Sequence, residues 1–304
     1  MNNFIPIDIF KEIFQFCDFL TKIRFRQITK FLYNNLHIID FYYIEKKYLI
    51  KLSDNILNLL KYLNAGINPK IKDVGWMKNL KELNASATSQ IDQLGINGLN
   101  LIVLNAYNNP KIMDVSWMNN LKELNASGIQ SEIDQMRIKG LDLIKLNVRN
   151  NIEIKDVSWM KNLRKLDASG YCGINQVGIK ELDLIKLRAW NNKKIKNVSW
   201  ITNLKELDAS WYSRIDQLGI NRLDLIKLHV SNNPKINDIS WMLNLKELDA
   251  FWNSGIDQME INGLDLIKLN AWMNPKIRDL SWMCNLKELN ASVDSRIDQI
   301  GLMD

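Results

Sequence analysis

Apolar residues recur along most of the chain with a fixed spacing. A short phrase, D-V-S-W-M or a close variant, places a tryptophan every 41 or 42 residues, and each interval splits into two segments of 20 to 22 residues. Every segment carries the pattern L-x-x-L-x-A/V, followed about eight residues later by an isoleucine. The segments begin near Leu60, Leu80, Leu101, Leu121, Leu143, Leu163, Leu184, Leu204, Leu225, Leu245, Leu266 and Leu286. Because no such segment can bury its own apolar face, residues 60–304 are predicted to stack as a solenoid of about twelve units.

The repeated pattern resembles the leucine-rich-repeat consensus L-x-x-L-x-L-x-x-N-x-I, with Ala or Val in place of the third Leu. The tryptophan-containing units are most similar to the short internalin-like class. This resemblance implies an α/β solenoid with a parallel β-sheet on its concave face. Apolar residues at every third position in the tryptophan units, such as Val115, Met118 and Leu121, predict a 3₁₀ or polyproline-like return segment there.

The consensus asparagine appears in every second unit, where it is predicted to satisfy buried backbone groups. It occurs as Asn68, Asn109, Asn151, Asn192, Asn233 and Asn274. In the alternate units this place holds residues such as Thr88, Tyr171 and Tyr212, so the ladder is expected to be completed there in another way. Their recurrent Ile-Asp-Gln phrase, as at Asp92, is interpreted as turn capping by the aspartate.

Outward positions of the predicted strands form three columns along the array. The first, from Glu82 to Glu288, is mostly alternating Lys and Glu and is interpreted as a solvated ladder of ion pairs. The second is mainly Asn or Asp and the third mainly Ser. Large residues that interrupt these two columns are of the types that anchor protein interfaces. They are predicted to line a target-binding site and comprise Tyr107, Arg149, Arg188, Trp190, His229, Phe251 and Trp272. The alternative is that these rings pack flat on neighbouring side chains.

The six periodic tryptophans are assigned a packing role, because a binding stripe does not require identical recurrence. They are Trp76, Trp117, Trp159, Trp200, Trp241 and Trp282.

Ahead of the array the hydrophobic spacing becomes helical. The segment Ile5-Pro6-Ile7-Asp8-Ile9-Phe10, followed by Ile13 and Phe14, resembles the opening of an F-box, and residues 25–30 resemble a later part of that motif. Leu32, where the family usually has Trp, departs from it. We therefore interpret residues 1–42 as an all-α F-box-like module, residues 43–59 as a linker or cap, and residues 60–304 as the repeats.

The F-box resemblance implies a substrate receptor of a cullin-RING ubiquitin ligase. Such a receptor docks on the ligase's adaptor subunit, binds a target through its repeats and carries out no chemistry itself. The implied docking residues are Ile5, Pro6, Ile9, Phe10, Ile13 and Phe14. The alternative is a plain repeat scaffold or effector, whose first sixty residues only cap the solenoid.

Composition narrows the functional classes. The net charge of +6 arises from 40 basic and 34 acidic residues that are interleaved along the chain, which argues against a nucleic-acid-binding protein. Two histidines and three widely spaced cysteines provide no metal or catalytic constellation, so no enzyme, metal or cofactor is expected. No apolar run is long enough to suggest a signal or a membrane span, so the expected location is cytoplasmic or nuclear. The excess of Asn, Ile and Lys is typical of AT-rich genomes, such as those of some large DNA viruses.

Overall fold

A computed structural model of the chain describes residues 61–66, 69 and 71–291. The F-box-like module, its six docking residues, the linker at 43–59 and Asn68 lie outside the described residues. Within the described residues, every helix and strand belongs to the repeat array.

Twelve short strands form one parallel sheet in strictly sequential order, so that each strand pairs with the next along the chain. This confirms the predicted parallel sheet and one strand per unit. The strands are β1 (Tyr62–Asn64), β2 (Glu82–Asn84), β3 (Val103–Asn105), β4 (Glu123–Asn125), β5 (Lys145–Asn147), β6 (Lys165–Asp167), β7 (Lys186–Arg188), β8 (Glu206–Asp208), β9 (Lys227–His229), β10 (Glu247–Asp249), β11 (Lys268–Asn270) and β12 (Glu288–Asn290).

The core is a stack of identical layers. The central leucine of each strand stands directly beside the leucine of the next, as Leu187 does beside Leu207 and Leu207 beside Leu228. The small residue that follows each of the strands β1 to β11, such as Ala189, is fully buried. A larger side chain than Ala or Val at that place would have to displace the facing return segment. The interior is therefore continuous from one unit to the next, as in other solenoids.

Helical turns lie in the return segments of the alternate units. They are the 3₁₀ helices Leu94–Ile96, Met136–Ile138, Val177–Ile179 and Leu218–Ile220, and the short α-helix α1, Gln258–Ile261. The tryptophan units, for which a 3₁₀ or polyproline-like return segment is predicted, contain no 3₁₀ helix among the described residues. Those units instead form single turns, in which the amide of Met118 donates to the carbonyl of Val115. Turn capping by aspartate is confirmed, since Asp92 Oδ1 accepts a hydrogen bond from the amide of Gly95 at 2.9 Å.

The consensus asparagines have the structural role predicted for them. Asn192, fully buried, donates from Nδ2 to the carbonyls of Ala168 and Ile174 in the preceding unit. Its Oδ1 accepts from the amide of Lys194 at 2.7 Å. The same carbonyl pair is satisfied by Asn109, Asn151, Asn233 and Asn274 in their own units.

In the alternate units the ladder is completed by a different residue, as expected. Thr88, Tyr171 and Tyr212 point to solvent. The residue after each of them is buried instead, and Ser213 Oγ accepts from the amide of Ile215 at 3.4 Å. A small acceptor suffices here because it serves a single backbone amide. This inward set consists of Ser89, Cys172, Ser213 and Ser254. Burial raises the pKa of the Cys172 thiol to about 12, so it stays protonated at neutral pH.

A glutamine ladder, which was not predicted, joins the units on the side opposite the sheet. Gln176 donates from Nε2 to the carbonyl of Asn197 and accepts at Oε1 from the amides of Lys196 and Asn197. Gln93, Gln135, Gln217 and Gln258 bond in the same way. Each alternate unit is thus fixed to the tryptophan unit that follows it by side chains as well as by the sheet.

We expect Asn233→Ala to lower the free energy of unfolding by about 2 kcal/mol, because it leaves the carbonyls of Ala209 and Ile215 buried without a partner. Urea denaturation followed by circular dichroism measures the loss. The control is Asn244→Ala, which removes only exposed hydrogen bonds to Asp224 and should cost less than about 0.5 kcal/mol. Equal losses for the two variants would contradict the assigned role.

Candidate partner-binding surface

The first outward column is a ladder of ion pairs, as predicted. Lys145 pairs with Glu123 at 2.9 Å, Lys227 with Glu247 at 2.8 Å and Lys268 with Glu288 at 2.7 Å, each across neighbouring strands. Lys186 and Glu206 form a further pair. Burial opposes ionisation of Glu206, but the hydrogen bond and charge of Lys186 outweigh it and hold its pKa below the usual value. These charges satisfy one another and contribute at most about 1 kcal/mol per pair.

The second column has a local structural role that was not anticipated from the sequence. Asn105 Oδ1 accepts from the amide of Tyr107 at 3.0 Å, two residues on, and Asp208 Oδ1 accepts from the amide of Ser210 at 3.1 Å. Nearly every Asn or Asp of the column closes the same turn at the end of its strand. Arg188 has no acceptor atom and His229 forms no such bond in the described residues, so the turns after β7 and β9 lack this hydrogen bond.

Exposed aromatic rings cluster at the ends of β7 to β11. The rings of Phe251 and Trp272 stack. The angle between their planes is 1°, and their centroids are 5.1 Å apart. The ring of Trp252 meets that of Phe251 edge to face at 6.1 Å and that of Trp211 at 6.0 Å. The alternative interpretation of flat packing is thus true of Phe251 and Trp272, although Trp272 is still 40% exposed.

Four of the seven predicted residues come together in one cleft. Trp190, His229, Phe251 and Trp272 line a depression of about 390 Å³ that we call the aromatic cleft. Its other lining residues are Asp208, Ser210, Trp211, Ser231, Asp249, Asn270 and Asn290.

The remaining three predicted residues lie around the cleft or away from it. Arg149 places its guanidinium 4.9 Å from the ring centroid of Trp190. Arg188 lines a smaller depression of about 210 Å³ that shares His229 and Asp208 with the aromatic cleft. Tyr107 follows β3, four strands away from Trp190 along the sheet, and does not line the cleft.

Trp211 and Trp252 belong to the aromatic surface but were not selected from the sequence. Both have a φ of 58°, in the left-handed region that costs a bulky residue about 1 kcal/mol or more. The equivalent place holds Asn108, Asn150, Asn191 and Asn232 elsewhere, and asparagine tolerates this conformation well. The signal available in the sequence was therefore a tryptophan where the other described units place Asn, Gly, Ala or Met.

The periodic tryptophans divide into two groups. Four of them, Trp76, Trp159, Trp241 and Trp282, pack against the core, which confirms their structural role. Trp241 also donates from Nε1 to the carbonyl of Leu223 at 3.0 Å. Trp117 and Trp200 are more exposed, at 36% and 40%, so their packing is only partial.

Within residues 61–66, 69 and 71–291, no group of three or more His, Cys, Asp or Glu side chains is arranged to hold a metal ion. Nor does that part of the chain contain a helix with the length and apolar character needed to cross a bilayer.

Comparison with solved structures identifies the fold. An internalin, InlF from Listeria monocytogenes, superimposes over 83% of this chain and 88% of its own, with a TM-score of 0.51 and 18% identity. The described array has a leucine-rich-repeat fold. TLR13 in complex with ssRNA13 matches 77% of this chain and 41% of its own at 15% identity and a TM-score of 0.38. The functional domain of InlJ from Listeria monocytogenes matches 77% of this chain and 63% of its own at 16% identity and a TM-score of 0.30. No family model and no curated protein matches the sequence.

Replacing a packed and an exposed tryptophan should have different effects on stability. We expect Trp241→Ala to lower the free energy of unfolding by about 3 kcal/mol, because the ring contacts the core and its Nε1 is hydrogen-bonded. Trp272→Ala should cost about 1 kcal/mol, the value of one aromatic stack. Thermal and urea unfolding of both variants measure this, and a loss at Trp272 as large as at Trp241 would mean that the exposed ring is structural.

Proposed function

We propose that the solenoid is a non-catalytic protein-binding scaffold whose target contacts the aromatic cleft. The observation that carries this proposal is the group of rings at the ends of β7 to β11, which interrupts a regular outward surface. The leucine-rich-repeat fold supports it, because a parallel concave sheet presents many side chains on one continuous surface.

The energetics of the surface favour the cleft over the rest of the sheet. Lys and Glu of the first column already neutralise one another, and the Asn and Asp of the second column are largely occupied by their own backbone. The partly exposed Trp and Phe rings of the cleft, in contrast, provide large rigid area that a partner can bury, and Trp is among the residues that dominate binding energy at interfaces.

Two features of the aromatic rings argue for a binding role rather than a structural one. Trp252 is 46% exposed and Trp272 is 40% exposed, so a large part of each ring is left for a partner to cover. Trp252 also adopts a left-handed conformation that is unfavourable for its side chain. Strained and exposed large residues tend to occur together at functional sites.

Recruitment of the target to a ubiquitin ligase is a finer proposal that rests on the F-box-like residues 1–42. It is an interpretation of the sequence alone, because residues 1–42 lie outside the described residues. The scaffold function stands without it.

The scaffold proposal predicts that partner binding depends on the rings of the cleft. The immobilised wild-type protein should capture partners from a lysate of the cells that express this chain. The variant that combines Trp190→Ala, Phe251→Ala and Trp272→Ala should not capture them. For a purified partner we expect a loss of at least about 2 kcal/mol, roughly thirtyfold in Kd. Quantitative mass spectrometry measures the captured proteins, and calorimetry measures the Kd of a purified partner.

The matched control combines Trp117→Ala and Trp200→Ala, which removes two exposed rings from the return segments and leaves the cleft intact. This variant should retain its partners. Retention by both variants would show that the cleft is not the binding site.

The ubiquitin-ligase proposal predicts co-purification of the full chain with a ligase adaptor subunit and a cullin. Pro6→Ala combined with Ile9→Asp should abolish this, because it places a charge in the implied apolar docking strip. Binding of partners at the aromatic cleft should be unchanged in the same variant. Normal adaptor binding by the double variant would remove the ligase proposal and leave the scaffold proposal intact.

A further inference from the structure

Two carboxylates in the aromatic cleft lack the compensation that the other outward carboxylates have. Asp208 and Asp249 both line the cleft, and neither forms an ion pair with any Lys or Arg in the part of the chain that the structure describes. Glu123, Glu206, Glu247 and Glu288 of the first column are each paired with a lysine. Carboxylate charge that no ion pair compensates therefore lies in this cleft.

Each of these carboxylates is held in place through one oxygen only. Asp249 Oδ1 accepts from Ser231 Oγ at 2.6 Å and from the amide of Phe251 at 3.2 Å. Asp208 Oδ1 accepts from the amide of Ser210. The Oδ2 atoms form no hydrogen bond with another described residue, so a fixed acceptor on each side chain is available to a ligand.

The nearby cations are already engaged with groups of the protein. Arg188 lies 3.9 Å from Asp167, the carboxylate on the strand away from the cleft, and Lys227 pairs with Glu247. His229 is the one basic side chain that lines the aromatic cleft itself. An acidic ligand would therefore meet two unpaired carboxylates with little cationic compensation.

The walls of the cleft also favour cations, because aromatic faces attract Arg and Lys. The protein shows this directly at two neighbouring rings: Arg149 lies over Trp190 at 4.9 Å and Lys193 over Tyr212 at 5.7 Å. No described Lys or Arg lies over the stacked rings of Phe251 and Trp272.

We propose that the aromatic cleft binds a basic segment of the partner protein, with Arg or Lys side chains directed at Asp208 and Asp249 and the chain resting on the rings of Trp190, Phe251 and Trp272. This inference rests on the proposed scaffold function and specifies the chemistry of its partner. Asp208 and Asp249 stand two strands apart, about 10 Å at the usual strand spacing. In a polyproline II segment, side chains three residues apart lie on one face at about the same distance. A segment with basic residues at every third position fits this spacing.

The test uses two short fluorescein-labelled peptides, one with two arginines separated by two prolines and one with glutamates in place of the arginines. Fluorescence anisotropy with the full-length protein should show binding of the arginine peptide and at least tenfold weaker binding of the glutamate peptide. Asp208→Asn combined with Asp249→Asn should weaken binding of the arginine peptide by about tenfold. These variants should fold normally, because Asn closes the same turn at Asn105 and Asn125.

A matched control separates the effect of the two cleft carboxylates from the effect of net charge. Glu123→Gln combined with Glu181→Gln changes the net charge by the same amount on carboxylates that pair with Lys145 and Lys161, away from the cleft. It should leave binding of the arginine peptide within about twofold.

Three outcomes would overturn the inference: no binding of the arginine peptide, equal binding of the two peptides, or equal weakening by the cleft variant and the control. The scaffold function is judged separately by the capture experiment. A partner that is lost with the three aromatic substitutions but binds Asp208→Asn/Asp249→Asn normally would preserve the scaffold and remove its basic ligand.

Discussion

The structure depends on burial of apolar side chains between units rather than within them. A unit of about twenty residues contributes a three-residue strand and a short return segment, which is too little to enclose its own leucines. Leu187, Leu207 and Leu228 are excluded from water only because each is covered by the layers on both sides. This single constraint fixes the inward positions, limits the residue after each strand to Ala or Val, and leaves the outward positions open to variation.

Stacking of this kind also buries backbone polar groups, and three side-chain ladders satisfy them. Asn192 and its equivalents bond to carbonyls of the preceding unit, Ser213 and its equivalents accept from an amide of their own unit, and Gln176 and its equivalents join neighbouring return segments. These polar side chains recur along the array, with Cys172 replacing Ser once, because an unpaired buried group would cost about as much as a lost core contact. Their regularity is structural and carries no information about the partner.

Information about the partner lies where the repeat is broken. The ladder of Lys and Glu and the turns closed by Asn or Asp form a uniform background on the concave face. Against it, Trp190, Phe251 and Trp272 bring apolar area, and Asp208 and Asp249 bring charge that no described cation compensates. The combination of rings and unpaired carboxylates gives the surface a chemical preference, which the same residues spread evenly along the array would not have.

The sequence by itself determined the solenoid, the number of strands, the sheet order, the asparagine ladder and the ion-pair column, because each follows from a spacing that repeats through the whole array. It left open whether the tryptophan units return through 3₁₀ or polyproline-like backbone, and which residue completes the ladder in the alternate units, since Tyr212 and Ser213 are equally plausible until the layers are stacked. Four of the seven predicted binding residues share one cleft, whereas Tyr107 lies elsewhere. Only the tertiary structure decided that grouping, and only it showed Trp211 and Trp252 as part of the surface and Asp208 and Asp249 as unpaired. The physical reason is that repeat spacing fixes which residues face inward or outward, while contacts among outward side chains depend on which strands they follow and on what their neighbours leave free.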